Sequence, residues 1–162
     1  MFAATARSSR RCTLESADSS GGSPTLITPT EAAARARTLA APRAAVALAS
    51  DLVERLDGGN AYFLVRLGEP DGGGLIVAVD ALTAAILSVA RLDDVGRHRL
   101  PDRHDAVRWA DYPEDSAARR VWAPSRATRS PFYPLWELKA GTECAYVDMN
   151  GKVWTAPNML RG

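Results

Sequence analysis

The chain has 162 residues, 46% of them apolar and 24% charged, ordinary proportions for a globular protein that buries a core without a disulfide or metal staple. Its 20 basic and 19 acidic residues leave a formal charge of +1, so no global field draws it to nucleic acid or to an anionic membrane. No run approaches the roughly eighteen apolar residues of a membrane span.

Arginine supplies 18 of the 20 basic residues, with only Lys139 and Lys152 besides, and alanine is abundant. This bias reads as the coding habit of a GC-rich bacterium and not as function. Residues 1–25 read as a disordered tail, in which Arg7, Arg10 and Arg11 stand among serines and alanines without the apolar stretch of a secretory signal. An organelle transit peptide is the alternative for such a segment. Cys12 in this tail and Cys144 in an apolar strand sit in unlike surroundings, which argues against a disulfide and for a reducing cytoplasm.

Thr28-Pro29-Thr30-Glu31 opens a helix: Thr28 can cap the Glu31 amide, Glu31 can reach back to the Thr28 amide, and Pro29 occupies the first helical position, where no N–H is missed. Ala32, Ala33, Ala36, Leu39 and Ala40 form its apolar stripe, and Pro42 ends it. Residues 45–56 fit both alternation and helical spacing; the flanking Pro42 and Asp57-Gly58-Gly59-Asn60 favour a strand. Alternation is clear in residues 61–67 and 75–80, which form a hairpin across the glycine-rich turn at 69–74, and residues 85–91 add a further strand. Residues 92–107 read as a charged connection holding both histidines. Residues 113–122 read as a short helix with Glu114 and Asp115 in its first turn. After Pro124, Pro131 and Pro134, residues 135–138 and 143–148 form a second hairpin through Ala140-Gly141-Thr142. Asn150-Gly151 then turns residues 153–155 back onto 145–147.

The order of features repeats. Tyr62-Phe63-Leu64-Val65, a glycine-rich turn, Ile76-Val77-Ala78-Val79-Asp80 and Ile86-Leu87 parallel Leu135-Trp136-Glu137-Leu138, Ala140-Gly141, Ala145-Tyr146-Val147-Asp148 and Val153-Trp154. The expected fold is therefore of α+β class: an N-terminal helix packed on an antiparallel meander, with a second, smaller α+β unit resembling the first. The boundaries are a tail at 1–25, a first unit at 26–92, a charged connection at 93–112 and a second unit at 113–157.

Each unit resembles the PepSY module and, more broadly, small bacterial proteins of cystatin-like shape, in which a helix beginning near Thr-x-x-Glu precedes strands that end in a Val-Asp-x-x-Thr-Gly turn. Thr28-Pro29-Thr30-Glu31-Ala32-Ala33 matches that start and Val79-Asp80-Ala81-Leu82-Thr83 matches the turn. Ala84 stands where the family has Gly, which puts an alanine at a left-handed position at a cost of about 1 kcal/mol. In the second unit Gly151 is present but Asn150 replaces the Thr, and the leading helix is weak. The resemblance implies a binding or inhibitory role, such as restraint of a peptidase or blocking of a toxin, with sheet edges as one route to a partner. It carries over no catalytic residue.

Catalytic and metal chemistry finds little support. His98 and His104 lie in a run interleaved with arginines that would repel a cation, so a solvated loop explains them. Ser88, Ser116, Ser125 and Ser130 lack a nucleophile-elbow setting, Cys144 has no histidine near it in sequence, and Gly72-Gly73-Gly74 precedes a strand instead of the helix that a phosphate loop needs. No catalytic residue, metal site or cofactor is expected. The most distinctive stretch holds Trp109, Arg119, Arg120, Trp122, Arg126, Arg129, Phe132, Tyr133 and Trp136. Its readings are a protein-contact patch, core aromatics packed under solvated arginines, and a single-stranded nucleic-acid surface, the last disfavoured by Asp111, Glu114 and Asp115. The expectation is a cytoplasmic, non-enzymatic module that binds another protein and is inhibitory, immunity-like or accessory to it. The competing readings are a small-molecule binder or enzyme using a cleft between the units, and a structural subunit docked through its N-terminal tail.

Overall fold

A computed structural model describes residues 25–40, 45–70 and 72–155. The first half runs α1 (Pro29–Arg37), β1 (Val46–Arg55), β2 (Tyr62–Gly68), β3 (Gly74–Asp80) and β4 (Ile86–Leu92). A 3-10 turn at Val95–Arg97 leads to the second half: α2 (Arg103–Ala110), β5 (Ala117–Trp122), β6 (Leu135–Ala140), β7 (Glu143–Val147) and β8 (Val153–Trp154). All eight strands form one sheet of order β4-β3-β2-β1-β5-β6-β7-β8, antiparallel except where β1 and β5 pair in parallel through Glu54 and Val121. Each half is a helix followed by a four-stranded meander.

α1 starts as its residues dictate, with Thr28 and Glu31 capping one another and Pro29 in the first turn. It buries Ala32, Ala33 and Ala36 against Phe63, Val65, Leu67, Val77 and Val79, one alternating face of β2 and β3. α2 lies on the other side. It packs Ala106 and Val107 onto Leu138 and Val147. Leu138 pairs with Ala118 and, two residues along, Trp136 pairs with Arg120. Arg120 reaches Asp51, the partner of Leu64 on the face away from α1. An approximate two-fold axis parallel to the strands, between β1 and β5, thus relates the halves and exchanges the faces of the sheet.

The registers coincide with the sequence repeat. Phe63 pairs with Val79 and Trp136 with Val147; Leu64 pairs with Ala78 and Glu137 with Tyr146; Arg66 pairs with Ile76 and Lys139 with Cys144. The two Val-Asp turns share a purpose as well. Asp80 Oδ1 accepts from the amides of Leu82 and Thr83, and Asp148 Oδ1 from those of Asn150 and Lys152. Ala84 holds the left-handed conformation expected there, with φ 59°, and Gly151 its counterpart with φ 80°.

Two stretches depart from the sequence reading. Residues 113–122, expected as a helix, hold strand β5. Their alternation places Arg119 and Arg120 on opposite faces, where each finds carboxylates on neighbouring strands, a long-range pairing that outweighs the helix-favouring acids at 114 and 115. The charged connection at 93–112 holds α2, capped by Asp102, whose carboxylate accepts from the Asp105 amide at 2.8 Å. With only Ala106 and Val107 buried, its apolar stripe is too short to announce a helical period. α1 stops at Arg37, short of Leu39 and Ala40, while Pro42 and the tail at 1–24 lie outside the described residues. Among the described residues no helix is long and apolar enough to cross a membrane.

Candidate functional site

On the α1 side of the sheet, the second half has no helix over it among the described residues. Its alternating positions there are Arg119 and Val121 of β5, Leu135, Glu137 and Lys139 of β6, and Cys144 and Tyr146 of β7. Val121, Leu135 and Tyr146 form a small core under Ala127 of the β5–β6 loop, with Leu56, Cys144 and Trp154 packed around it. Beyond that core the face turns polar.

At its centre lies the Glu137 carboxylate, 1% exposed. Arg119 Nε donates to its Oε2 at 2.5 Å, and Lys139 Nζ stands 3.3 Å from the same oxygen. The Tyr146 hydroxyl donates to Oε1 at 3.0 Å, and the Cys144 thiol approaches Oε1 at 4.0 Å. Arg119 Nη1 also donates to Glu54 at the end of β1, so one guanidinium clamps carboxylates from both halves. A shallow depression of about 290 Å³ opens here, lined by Ala117, Ala118, Arg119, Glu137 and Lys139.

The electrostatics follow from this packing. Burial opposes the charged form of Glu137, but the hydrogen bond and charge of Arg119, the Tyr146 hydroxyl and the charge of Lys139 outweigh it and hold the carboxyl below the usual glutamate range. The hydrogen bond to Glu137 raises the Arg119 guanidinium, and burial pushes the Tyr146 phenol up. The cluster is therefore an ionised, charge-balanced network of two carboxylates and two cations, with a neutral phenol. A carboxylate held ionised by two cations is poorly suited to act as a general acid or base near neutral pH.

The internal repeat places other side chains at these positions. Glu137 stands at the position of Leu64, Tyr146 at that of Ala78, Cys144 at that of Ile76 and Arg119 at that of Asp51. The first half fills the equivalent face with Val53, Tyr62, Leu64, Ile76 and Ala78, over which pack Leu100 of the connection and Phe132 and Met149 of the second half. Glu137 was not singled out from the sequence; the signal that could have found it is a glutamate between Trp136 and Leu138 where the repeat has Leu64.

The expected patch is distributed over several environments. Trp122 is buried in the first half's core, edge-on to Tyr62 with ring centroids 6.4 Å apart and with Arg55 over its own ring. Phe132 packs against the same core. Trp136 lies under Arg120 and donates to the Pro101 carbonyl at 2.9 Å. Arg119 belongs to the Glu137 network on the opposite face. Arg126, Arg129 and Tyr133 are exposed on the β5–β6 loop, and Trp109 on α2 lies against Gly151, where a Cβ would meet its ring at 3.0 Å. Tyr133 packs on the ring of His98, which is buried, whereas His104 is exposed on α2. Among the described residues no group of three or more His, Cys, Asp or Glu side chains is placed to hold a metal ion.

No family model matches the chain, and no curated protein matches it. Among solved structures, one from Clostridium difficile 630 described as a "putative lipoprotein" is similar at a TM-score of 0.39 and 14% identity, covering 83% of this chain and 94% of that one. At that level the likeness bears on neither fold nor function.

Proposed function

We propose that the protein is a non-enzymatic protein-binding module, inhibitory or accessory to its partner, that uses the open sheet face around Glu137. The carrying observation is a buried, ionised glutamate with its tyrosine partner at positions where the other half of the same fold places leucine and alanine. A buried ion pair seldom adds stability over an apolar replacement of similar volume, which supports a reading in which this one is kept for recognition. A helix followed by a four-stranded meander, twice over and ending each time near a Val-Asp turn, supports the resemblance to PepSY-like and cystatin-like units and with it a restraining role. The alternative of docking through residues 1–25 falls almost wholly outside the described residues.

The test is affinity capture from the native cell lysate with the full chain and with the variant Arg119→Leu/Glu137→Leu, once circular dichroism shows that the variant is folded. A stoichiometric protein partner retained by the wild type and lost by the variant is the expected result. A partner held equally by both, or a small molecule in place of a protein, overturns the reading. Trp122 and Trp136 are unsuited to this purpose, because each is packed into the fold.

A further inference from the structure

We infer that His98 is an acid-sensitive latch, whose protonation releases residues 98–101 and the end of the β5–β6 loop from the sheet and uncovers the apolar face of the first half. The latch is independent of what the Glu137 face binds.

Two segments without strand or helix lie across that face, and neither takes part in a strand ladder. The first is the stretch 98–101, whose Leu100 is 5% exposed and packs with Leu64, Ile76 and Ala78. It is held through its carbonyls: that of His98 accepts from Arg66 Nη1 at 2.9 Å, and that of Pro101 from Trp136 Nε1 at 2.9 Å and Arg120 Nη2 at 3.3 Å. The second is the end of the β5–β6 loop, where the Pro131 carbonyl accepts from the Tyr62 hydroxyl at 2.7 Å and Phe132 packs into the same core. The two segments meet at His98, whose ring lies against that of Tyr133 with centroids 5.3 Å apart. Because no ladder hydrogen bond holds either segment, both can leave while the strands stay paired.

The meeting point is unsuited to charge. His98 is 7% exposed, and neither ring nitrogen has a hydrogen-bond partner. Protonation turns the one acceptor nitrogen of a neutral imidazole into a second unpaired donor. The charged group facing the ring from β2 is Arg66, a cation. β3 presents Ile76 and Ala78 on this face and β4 presents Ala90 and Leu92, none of them charged. On the histidine's own stretch, Arg97 pairs with Asp94, and Asp93 and Arg99 are exposed. The carboxylates of the surrounding elements are engaged elsewhere. Asp51 of β1 is 3.5 Å from Arg120 of β5, and Asp102 caps α2. Asp148, which lines the same shallow hollow as Tyr133, accepts its own turn amides and the Trp154 Nε1–H. Burial, and after it the charge of Arg66, outweigh the nearby carbonyls of His98 and Phe132 and hold the ring below the usual histidine value of 6.5. Once released to water the ring regains that value, so the released form binds the proton more tightly. The closed form is therefore at full strength above pH 6.5 and weakens as the pH falls below it. The opening constant rises by up to about tenfold per pH unit until the closed form's own value is reached.

The experiment follows hydrogen exchange of the full-length protein by NMR from about pH 7.5 to about pH 5, corrected for intrinsic exchange rates. The reporters are the amides of His98, Phe132 and Tyr133, which donate to the Val95 carbonyl, the Ser130 hydroxyl and the Ser130 carbonyl, together with the Trp136 indole N–H. The expected result is that their protection falls at least about threefold across that range while the amides of β2 and β3 hold theirs. His98→Phe should remove the fall, and His104→Asn, at an exposed position, should leave it. A smaller fall, one that persists in His98→Phe or one that His104→Asn abolishes overturns the latch. Loss of protection in β2 and β3 in step with the reporters overturns it too, since the sheet itself would then be unfolding. Should His98→Phe not fold, the wild-type ring is titrated through its nitrogen shifts. A closed form whose His98 takes up its proton below pH 6.5 supports the latch, and one that does so at or above pH 6.5 overturns it.

Discussion

If the Glu137 network is kept for recognition and not for folding, removing it whole should be far less harmful than removing half of it. Arg119→Leu leaves Glu137, 1% exposed, with Lys139 and the Tyr146 hydroxyl alone. Losing one partner of a buried ion pair costs about 3–5 kcal/mol, and the retained Lys139 puts this case near about 3. Glu137→Leu leaves Arg119, 37% exposed and still joined to Glu54, so solvent screens the loss. The unpaired Tyr146 hydroxyl adds about 1–3 kcal/mol. Burial of the leucine returns about 1.5–3, for a net loss of about 1 kcal/mol. In the double variant the two leucines form an apolar cross-strand pair, and stability stays within about 1 kcal/mol of wild type. The coupling energy is then about 3 kcal/mol, readable in urea unfolding at pH 7 followed by tryptophan fluorescence with an unchanged m value. Additivity of the two single variants within about 0.5 kcal/mol, or a double variant about 3 kcal/mol below wild type, would refute the claim that the fold does not need the network.

The same variants give a test in acid. Glu137 is held below its usual range in the fold and returns to 4.5 on unfolding, so its contribution is complete above that value and is lost as the pH falls through the folded one. Wild type should therefore lose stability below pH 4.5 more steeply than Arg119→Leu/Glu137→Leu, and parallel curves would count against the ionised pair. At the β3–β4 turn, Ala84→Gly should raise stability by about 0.5–1 kcal/mol, because glycine adopts the positive φ without steric cost; a loss in the urea midpoint would show that the Ala84 methyl contributes packing that outweighs the strain.

Much of this architecture could be read from the residues because it is set locally. Alternation fixed β2 and β3, the Thr28–Glu31 box fixed the start of α1, and the Asn150-Gly151 turn returned β8 onto β7 with Val153 against Val147 and Trp154 against Tyr146. β5 was illegible for the opposite reason. Its residues become a strand only when β1 arrives from far along the chain and Asp51, Glu54 and Glu137 offer partners to Arg119 and Arg120. α2 hid behind its own surface, since Arg103, His104, Asp105 and Arg108 surround a stripe of two buried residues. The aromatic stretch at 109–136 stood out by composition, yet composition does not record sides: β5 sends Arg119 to one face of the sheet and Arg120 with Trp122 to the other.

The repeat separates the polar groups that both halves carry from those that only one half carries. Both halves keep the aspartate of their Val-Asp turn, and in both it accepts backbone amides, so Asp80 and Asp148 are needed wherever the fold makes that turn. Arg66 and Lys139 are likewise kept, and in the half where a segment lies across the sheet the basic residue holds it. Glu137 and Tyr146 have no such counterpart, since Leu64 and Ala78 do the same packing without a charge. The sheet is completed with leucine and alanine on one side of its axis and carries an ionised glutamate on the other, and that difference is what the Arg119→Leu/Glu137→Leu variant removes.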